Sequence, residues 1–318
     1  MTLEELAALA GSIKTEIGKA VHGQDGVVDH LLVALFARGH CLLEGPPGTA
    51  KTLLAQSLSD ALALDFRRIQ FTPDLMPGDV IGANIFDFAT SKFNLVKGPV
   101  FTDILLGDEI NRAPPKTQAA LLQVMNERQV TIDGEDLDVG DLFFTIATQN
   151  PIENQGTYPL PEAQLDRFLF KLDVAFPDRD AELEILTRHA SQPLSLAARR
   201  EGIEAVATRE QLLAGQALVD TVRLESAILA YVLDLVRATR EDASIDHGGS
   251  TRAADALCGA VRAKAALAGR DYALPDDVKA LFRPALRHRI VLSPAAEIDG
   301  LTTDDALARI TDQVAAPR

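Results

Sequence analysis

The sequence predicts an α/β protein in which a parallel sheet is flanked by helices and is followed by a second, helical domain. Short apolar runs alternate with helical or turn-rich stretches in the first half of the chain, which is typical of a mostly parallel sheet. Strand signals stop near Asp178, and helical patterns rich in Ala, Leu, Glu and Arg continue from there. The 318 residues suffice for two domains. We therefore predict an α/β domain over residues 1–177 and a helical domain over 178–318.

The first predicted elements are two helices and a strand. Apolar residues recur at three- and four-residue steps from Leu3, which predicts an amphipathic helix that ends near Gly23, and a second apolar helix follows over 27–37. Cys41–Glu44 is a short apolar run closed by a glycine-rich turn, and a helical pattern over 51–64 succeeds it. The order is strand, glycine turn, helix.

Further strands and helices are predicted along the rest of the chain. Four more apolar runs bring the predicted strands to five, and they cover residues 66–71, 104–106, 142–148 and 168–174. Helices are predicted in the second domain over 181–189, 224–240 and 252–268, and from Pro275 onward. The stretch 191–207, rich in Ala, Arg and Ser, is predicted to be a looser connection.

Composition excludes several classes of protein. The mean hydropathy is +0.06 and the apolar runs are too short for a spanning helix, so we expect no membrane insertion. Acidic residues near Met1 do not suit a signal peptide, and Cys41 and Cys258 suggest no disulfide framework and read as small buried apolar residues, so we expect a cytoplasmic protein. The net charge of −15 disfavours nonspecific binding to nucleic acid.

The glycine turn nearly matches the phosphate-binding pattern G-x-x-x-x-G-K-[ST]. It lies after a predicted strand and opens a predicted helix, as that pattern requires. Its successive backbone N–H groups would hold phosphate, Lys51 would reach the β- and γ-phosphates, and the Thr52 hydroxyl would bind Mg²⁺. The candidate nucleotide-binding residues are Gly45, Pro46, Pro47, Gly48, Thr49, Ala50, Lys51 and Thr52. Ala50 replaces the second glycine, and we expect it to take helical dihedrals at little cost.

A pair of carboxylates follows the predicted strand 104–106. Asp108 and Glu109 would lie at the carboxyl end of a buried strand, where parallel sheets bind ligands. Asp108 is predicted to hold hydrated Mg²⁺, and Glu109 is predicted to polarise the attacking water. An Asp-Glu pair alone is usually a solvated turn, but its position downstream of a phosphate loop favours the functional interpretation.

Two β-hairpins are predicted between the core strands. The first pairs residues 85–88 with 93–96 around a turn at 89–92, and the second pairs 129–132 with 137–140 through 133–136. Either hairpin could be a surface decoration, but two hairpins in these positions suit a surface for substrate or partner. The six histidines show no spacing typical of a transition-metal site.

Four segments together resemble the MoxR family of AAA+ ATPases. They are Gly45 to Thr52, Asp-Glu-Ile-Asn-Arg at 108–112, Ala-Thr-Gln-Asn-Pro at 147–151 and Leu-Pro-Glu-Ala-Gln-Leu-Asp-Arg-Phe at 160–168. The resemblance continues at 21–24, 68–74 and 248–253, so it spans nearly the whole chain. It implies a core sheet with strand order 5-1-4-3-2, a helical lid after the core, ATP and Mg²⁺ as cofactors, and a homo-oligomeric, hexameric ring.

The resemblance also implies roles for particular residues. Asn150 corresponds to sensor 1, an amide that orients the attacking water. Arg167 corresponds to an arginine finger that acts on the ATP of the neighbouring subunit, and Arg252 corresponds to sensor 2, a lid arginine that would close on the phosphates. Residues 21–24 would touch adenine largely through their backbone, so that their side chains carry little information. The hairpins resemble the helix-2 insert and the pre-sensor-1 insert of the family.

The implied activity is Mg²⁺-dependent ATP hydrolysis that drives chaperone-like remodelling or activation of a client protein, with a partner that carries a von Willebrand factor A domain. The alternatives are a chelatase-type motor subunit that assists metal insertion, an ATP-gated assembly module with little turnover and a DNA-processing motor. Glu109, Asn150 and Arg167 argue against the gated module, and the net charge argues against DNA.

Overall fold

The structure is a computed structural model that describes residues 1–89, 91–150, 157–189 and 200–317. The helices are α1 (Leu3–Gly18), α2 (Asp25–Phe36), α3 (Lys51–Leu62), α4 (Pro77–Ile81), α5 (Pro115–Glu127), α6 (Glu162–Leu165), α7 (Arg179–His189), α8 (Arg209–Val219), α9 (Ser226–Glu241), α10 (Thr251–Leu267), α11 (Pro275–Leu286), α12 (Pro294–Ile298) and α13 (Thr303–Gln313). Within the described residues, no helix combines the length and the apolar character needed to cross a membrane.

The strands form one core sheet and three small antiparallel pairs. They are β1 (Cys41–Glu44), β2 (Phe66–Gln70), β3 (Gly82–Asp87), β4 (Lys92–Lys97), β5 (Ile104–Asp108), β6 (Gln129–Ile132), β7 (Glu135–Asp138), β8 (Phe144–Gln149), β9 (Phe170–Asp173), β10 (Ile245–His247) and β11 (Val291–Leu292). The core sheet has five parallel strands in the order β2-β5-β8-β1-β9. Counted along the chain as core strands one to five, this confirms the order 5-1-4-3-2 and the predicted fold class.

Parallel strands give the sheet two chemically different edges. At the carboxyl edge, β1, β5 and β8 end at Glu44, Asp108 and Gln149. At the amino edge, His40 precedes β1, and its Nε2 donates to the carbonyl of Met125 near the end of α5. Burial lowers the pKa of His40 to about 4, so the neutral ring also accepts the N–H of Thr145 at Nδ1. The end of α5 is thereby fixed at the amino edge.

Alternate residues of the central strands face two separate apolar layers. Leu43 and Leu106 belong to a cluster that includes α1, α2, α3 and the C-terminal helices, whereas Leu42 and Leu105 pack with α5. This period of two is the geometry of a strand that is buried on both faces. Because α10 packs against α1 and α2, the predicted lid shares a core with the sheet. The predicted division at residues 177 and 178 stays a prediction.

Both hairpins are present, but the second turn is shorter than expected. β3 pairs with β4, with Phe86 opposite Phe93, which confirms the first hairpin. Thr90 of the predicted turn lies outside the described residues. In the second, β6 pairs with β7 through Asp133 and Gly134, whose φ angles are 50° and 87°. The four-residue connection predicted over 133–136 was wrong, because Asp-Gly forms a tight two-residue turn with both residues in left-handed conformations.

The predicted lid departs from the sequence analysis at three points. Strands do not stop after the core, since β10 pairs with β11 in a short antiparallel ladder. Helix α8 was not predicted, although Thr208 caps it by accepting the N–H of Gln211. Residues 191–199 of the predicted loose connection lie outside the described residues. Cys258 is only partly buried, whereas Cys41 is buried as expected.

Candidate active site

The phosphate-loop residues connect β1 to α3 at the carboxyl edge. Gly45 lies against β9, and a Cβ there would come within 2.3 Å of the carbonyl oxygen of Val174. Gly48 has a φ of 89°, a left-handed value that favours glycine. The loop ends at the N-terminus of α3, where unpaired backbone N–H groups and the helix dipole make an anion site.

Ala50, the last residue before α3, is in the left-handed region with φ 62° and ψ 19°. The expectation that it would take helical dihedrals was wrong. A left-handed conformation brings Cβ close to the following carbonyl oxygen and costs an L-residue about 1–2 kcal/mol, which is why the usual pattern has glycine here. The loop therefore has the geometry of the glycine pattern and carries this local strain.

We expect Ala50→Gly to raise the free energy of unfolding by about 0.5–1 kcal/mol, because relief of the strain exceeds the entropic cost of glycine. Ala63→Gly is a matched control at the other end of α3, where Ala63 has φ 49° and ψ 40°. Urea unfolding of both variants measures the difference. If Ala63→Gly stabilises the protein and Ala50→Gly destabilises it, packing of the Ala50 methyl group outweighs the strain.

Lys51 lies over the loop that it follows. Its Nζ donates to the carbonyls of Gly45 and Pro46, both at 2.8 Å, and to the Thr49 hydroxyl at 3.3 Å. Burial lowers the pKa of Lys51, while the charges of Asp108 and Glu109 act in the opposite direction. All three donor bonds are made to the loop itself, so a bound phosphate could take them over without moving the lysine far.

Asp108 and Glu109 are joined through a threonine of the next strand. The Thr148 hydroxyl donates to Asp108 Oδ1 at 2.5 Å and accepts the backbone N–H of Glu109 at 2.9 Å. Glu109 is left-handed, with φ 57° and ψ 51°. A buried polar residue in an otherwise apolar run was the signal that could have pointed to Thr148, which sequence reasoning did not select.

Two further residues missed from the sequence come from β2. Arg68 donates to Asp108 Oδ2 at 2.6 Å, and the Gln70 amide donates to Glu109 Oε2 at 2.8 Å. Arg112 donates to the same oxygen of Glu109 at 2.9 Å. Both carboxylates are thus paired with donors, and Glu109 keeps Oε1 as its second acceptor oxygen.

Asn150 directly follows β8, which lies between β1 and β5 in the sheet. The backbone N–H of Gly45 donates to the carbonyl of Gln149 at 3.4 Å, so the end of β8 adjoins the phosphate loop. The residue after Asn150 in the predicted motif, Pro151, lies outside the described residues. The carboxyl edge therefore brings together the loop, the carboxylate pair and Asn150.

The oxygen donors at this edge fit Mg²⁺. Thr52 begins the first turn of α3, and its hydroxyl has no hydrogen-bond partner among the described residues, while Asp108 supplies a carboxylate. The described part of the chain holds no group of three or more His, Cys, Asp and Glu side chains suited to a metal ion. Two protein oxygens suit Mg²⁺, which keeps waters and takes its other ligands from substrate phosphates.

Arg167 and Arg252 lie at the opposite, amino edge. Arg167 is three residues before β9, and the N–H of Leu169 donates to the carbonyl of His40 at 2.8 Å. Arg252 Nε is 3.9 Å from Asp166 Oδ2, and its Nη2 donates weakly to Asn126 at 3.4 Å. The structure thus does not bring these arginines to the phosphate loop of their own chain. Their implied roles stay predictions.

The segment expected to touch adenine contains a buried glutamine that forms a hydrogen bond to a residue distant in the chain. Gln24 is buried, and its amide donates to the carbonyl of Ala175 at 2.8 Å, which ties this segment to the residues after β9. A cleft of about 490 Å³ lies between Gly23, Gln24, the end of β9 and α11. The assignment of adenine to this segment stays a prediction.

Comparisons with known proteins bear on both domains. Residues 40–170 match the family model described as the ATPase family associated with various cellular activities (AAA), and residues 237–310 match the AAA lid domain. A crystal structure assigned as a candidate ATPase of Cytophaga hutchinsonii superposes with a TM-score of 0.90 at 37% identity and covers 99% of this chain and 97% of that one.

Related sequences agree with the structural match. Chaperone MoxR1 of Mycobacterium tuberculosis is 40% identical over 95% of this chain and 81% of its own length. Protein MoxR of Methylorubrum extorquens is 32% identical over 97% of this chain and 95% of its own length, and the protein YeaC of Bacillus subtilis is 42% identical over 99% and 97%. With its five-stranded parallel core, phosphate loop, carboxylate pair and lid, the chain is an ATPase that belongs to the MoxR family of AAA ATPases.

Proposed function

We propose that the chain forms a ring-shaped, Mg²⁺-dependent ATPase that uses hydrolysis to remodel or activate client proteins. The observation that carries this proposal is the division of the candidate catalytic residues between the two edges of the sheet. Lys51, Glu109 and Asn150 lie at the carboxyl edge, and Arg167 lies at the amino edge. A hydrolytic site built from both edges needs two subunits.

Within one subunit, the residues at the carboxyl edge divide the work of hydrolysis. The loop N–H groups and Lys51 hold the phosphates, and Thr52 and Asp108 would hold Mg²⁺, which neutralises charge on the phosphate oxygens. Glu109 uses Oε1 to accept the proton of the attacking water, because Gln70 and Arg112 occupy Oε2. Asn150 orients that water with its amide.

The second subunit supplies Arg167. This side chain is partly exposed and has no ion-pair partner among the residues that the structure describes. An unpaired guanidinium at a subunit boundary can stabilise charge on the transferred phosphoryl group of a neighbour. The proposed assembly is a hexameric ring, as the resemblance to the family implies.

The first hairpin carries an exposed aromatic patch, which we define as Phe86, Phe88 and Phe93. These side chains are 38%, 87% and 69% exposed. The ring of Phe86 lies 5.1 Å from that of Phe88 and 5.2 Å from that of Phe93. Exposed apolar clusters of this kind mark interaction sites on soluble proteins, so the patch supports contact with an apolar segment of a client or of an A-domain partner.

A triple Phe→Ser variant of the aromatic patch tests the proposed function. We expect parental basal ATPase, since the hairpin contributes no residue to the carboxyl edge, together with loss of ATP-dependent protection of a model protein diluted from guanidinium. Light scattering of that model protein is the readout. Ile85→Ser with Val96→Ser is the matched control, because these exposed residues lie on the other face of the hairpin. Equal loss in both variants, or protection retained in the patch variant, contradicts the assignment.

The Mg²⁺ requirement can be tested through Arg68. Its guanidinium neutralises Asp108, so Arg68→Gln is expected to lower the Mg²⁺ concentration that half-saturates ATPase activity about two- to fivefold, in line with a partly exposed ion pair of about 0.5–1 kcal/mol. Arg67→Gln removes an exposed charge one position away and serves as the control. An unchanged or higher Mg²⁺ requirement in Arg68→Gln would show that the arginine does not compete with the metal.

A further inference from the structure

The segment around Arg167 is held by an arginine of the lid. The Arg289 guanidinium donates to Asp166 Oδ1 at 2.7 Å and to the backbone carbonyls of Asp166 and Phe168 at 3.1 and 2.8 Å. It also donates to the carbonyl of Ala285 in α11 at 2.7 Å. Only 4% of the Arg289 side chain is exposed. One buried side chain therefore links α11 to the residues on both sides of Arg167.

The neighbouring lid residues strengthen this contact. His288 is buried, and its Nε2 donates to the carbonyl of Phe168 at 2.9 Å, beside the bond from Arg289. Burial and the adjacent Arg289 charge lower the pKa of His288, so the ring is neutral and makes this bond as a single donor. Arg252 approaches the second carboxylate oxygen of Asp166 at 3.9 Å. Three lid residues thus converge on a segment of three residues.

Arg167 differs from its neighbours in how it is bonded: the backbone around it is held, whereas its side chain is not paired within the described part of the chain. The carbonyl of Asp166, in the peptide group that precedes Arg167, and the carbonyl of Phe168, one residue beyond Arg167, accept from the same guanidinium, so the backbone is held on both sides of Arg167. The Arg167 side chain itself has no ion-pair partner within the described ranges. The planar guanidinium of Arg289, which forms hydrogen bonds through several of its N–H groups, fixes the position of this segment better than a lysine ammonium would.

We propose that Arg289 is the positioning residue for Arg167: it fixes the segment 166–168 to the lid so that Arg167 points toward the nucleotide of the adjacent subunit. A shift of α11 would consequently move the finger of the same chain and change hydrolysis next door. This inference rests on the proposed trans action of Arg167. Arg289 touches no nucleotide in its own chain, because it lies at the amino edge with Asp166.

Arg289→Lys keeps the charge but cannot bond all of these acceptors. We expect normal binding of a fluorescent ATP analogue and a fall in kcat of roughly 10- to 100-fold, because misplacement of a catalytic group by about 1 Å can cost about 10²-fold. Arg270→Lys is the matched control. Arg270 is a lid arginine that bonds both oxygens of Asp277, both at 2.8 Å, and it does not touch the segment 166–168. We expect that variant to keep parental kcat.

Mixed rings distinguish a positioning role from a general loss of structure. A subunit that cannot donate its finger keeps a working pocket, so Arg289→Lys mixed with Lys51→Ala should regain activity, whereas Arg289→Lys mixed with Arg167→Ala should not. Recovery with Arg167→Ala, or parental kcat in Arg289→Lys alone, overturns the inference. If hybrid rings of Arg167→Ala and Lys51→Ala show no recovery of ATPase activity, the proposed action of Arg167 on the neighbouring subunit is wrong. That result is distinguishable from a failure of the inference about Arg289.

A second variant covers the case in which Arg289→Lys does not fold. Asp166→Asn preserves shape and removes the charge that pairs with Arg289, and it lies outside the groups assigned to hydrolysis. We expect Asp166→Asn to behave like Arg289→Lys: its mixed rings with Lys51→Ala should recover ATPase activity, and its mixed rings with Arg167→Ala should not. Recovery with Arg167→Ala in a folded, ring-forming Asp166→Asn variant overturns the inference as directly.

Discussion

Arg167→Ala is expected to bind ATP like the parent protein and to hydrolyse it about 10³- to 10⁵-fold more slowly, because a finger supplied by a neighbour can contribute that much to the rate of phosphoryl transfer. Arg167 lies at the amino edge, far in the fold from its own phosphate loop, so its loss leaves nucleotide contacts in that loop intact. Steady-state turnover measures the rate of hydrolysis, and equilibrium binding of a fluorescent ATP analogue measures the affinity for nucleotide.

Mixing identifies the subunit on which Arg167 acts. Lys51→Ala subunits lack the loop cation and are expected to be inactive, yet they carry Arg167 and would donate it to an intact pocket next door. Hybrid rings of Arg167→Ala and Lys51→Ala are therefore expected to recover part of the parental activity. Arg179→Ala is the control, since its side chain is exposed and pairs only weakly with Asp180, at 3.8 Å. Hybrid rings with no more than the summed activity of their parents would assign Arg167 a structural role.

Glu109→Gln is expected to keep ATP binding while turnover falls by about 10²–10⁴-fold, because the amide retains the shape of the side chain but cannot accept the proton of water. The donors Gln70 and Arg112 leave Oε1 as the acceptor, so this substitution removes the reacting atom's basicity. Single-turnover hydrolysis, with the protein in excess over ATP, isolates this step from product release.

Two comparisons sharpen the test of Glu109. Asp108→Asn is expected to raise the Mg²⁺ requirement, since it weakens a metal ligand. Glu127→Gln changes the same residue type at the exposed end of α5 and should leave turnover unchanged. Parental turnover in Glu109→Gln would transfer the role of base to another group at the carboxyl edge.

The site was predictable where chemistry follows the local sequence. Lys51 and Thr52 were recognisable because a strand, a glycine turn and a helix follow one another without interruption, and Asp108 and Glu109 because they end an apolar run. Thr148, Gln70 and Arg68 were missed since their roles depend on partners about 40 residues away in the chain. Local periodicity reports burial and says nothing about which strands become neighbours.

The sequence by itself determined the parallel sheet, the phosphate loop, the carboxylate pair and the helical lid, because apolar periodicity, glycine and proline act over a few residues. Its likeness to a family supplied the strand order that the structure confirmed. Only the tertiary structure decided that Ala50 is left-handed, that Arg167 and Arg252 lie opposite their own phosphate loop, and that Arg289 bonds a segment 123 residues earlier. The physical reason is that the positions of these arginines arise from packing between segments distant in the chain, whose contacts form only when the sheet and the lid share one core.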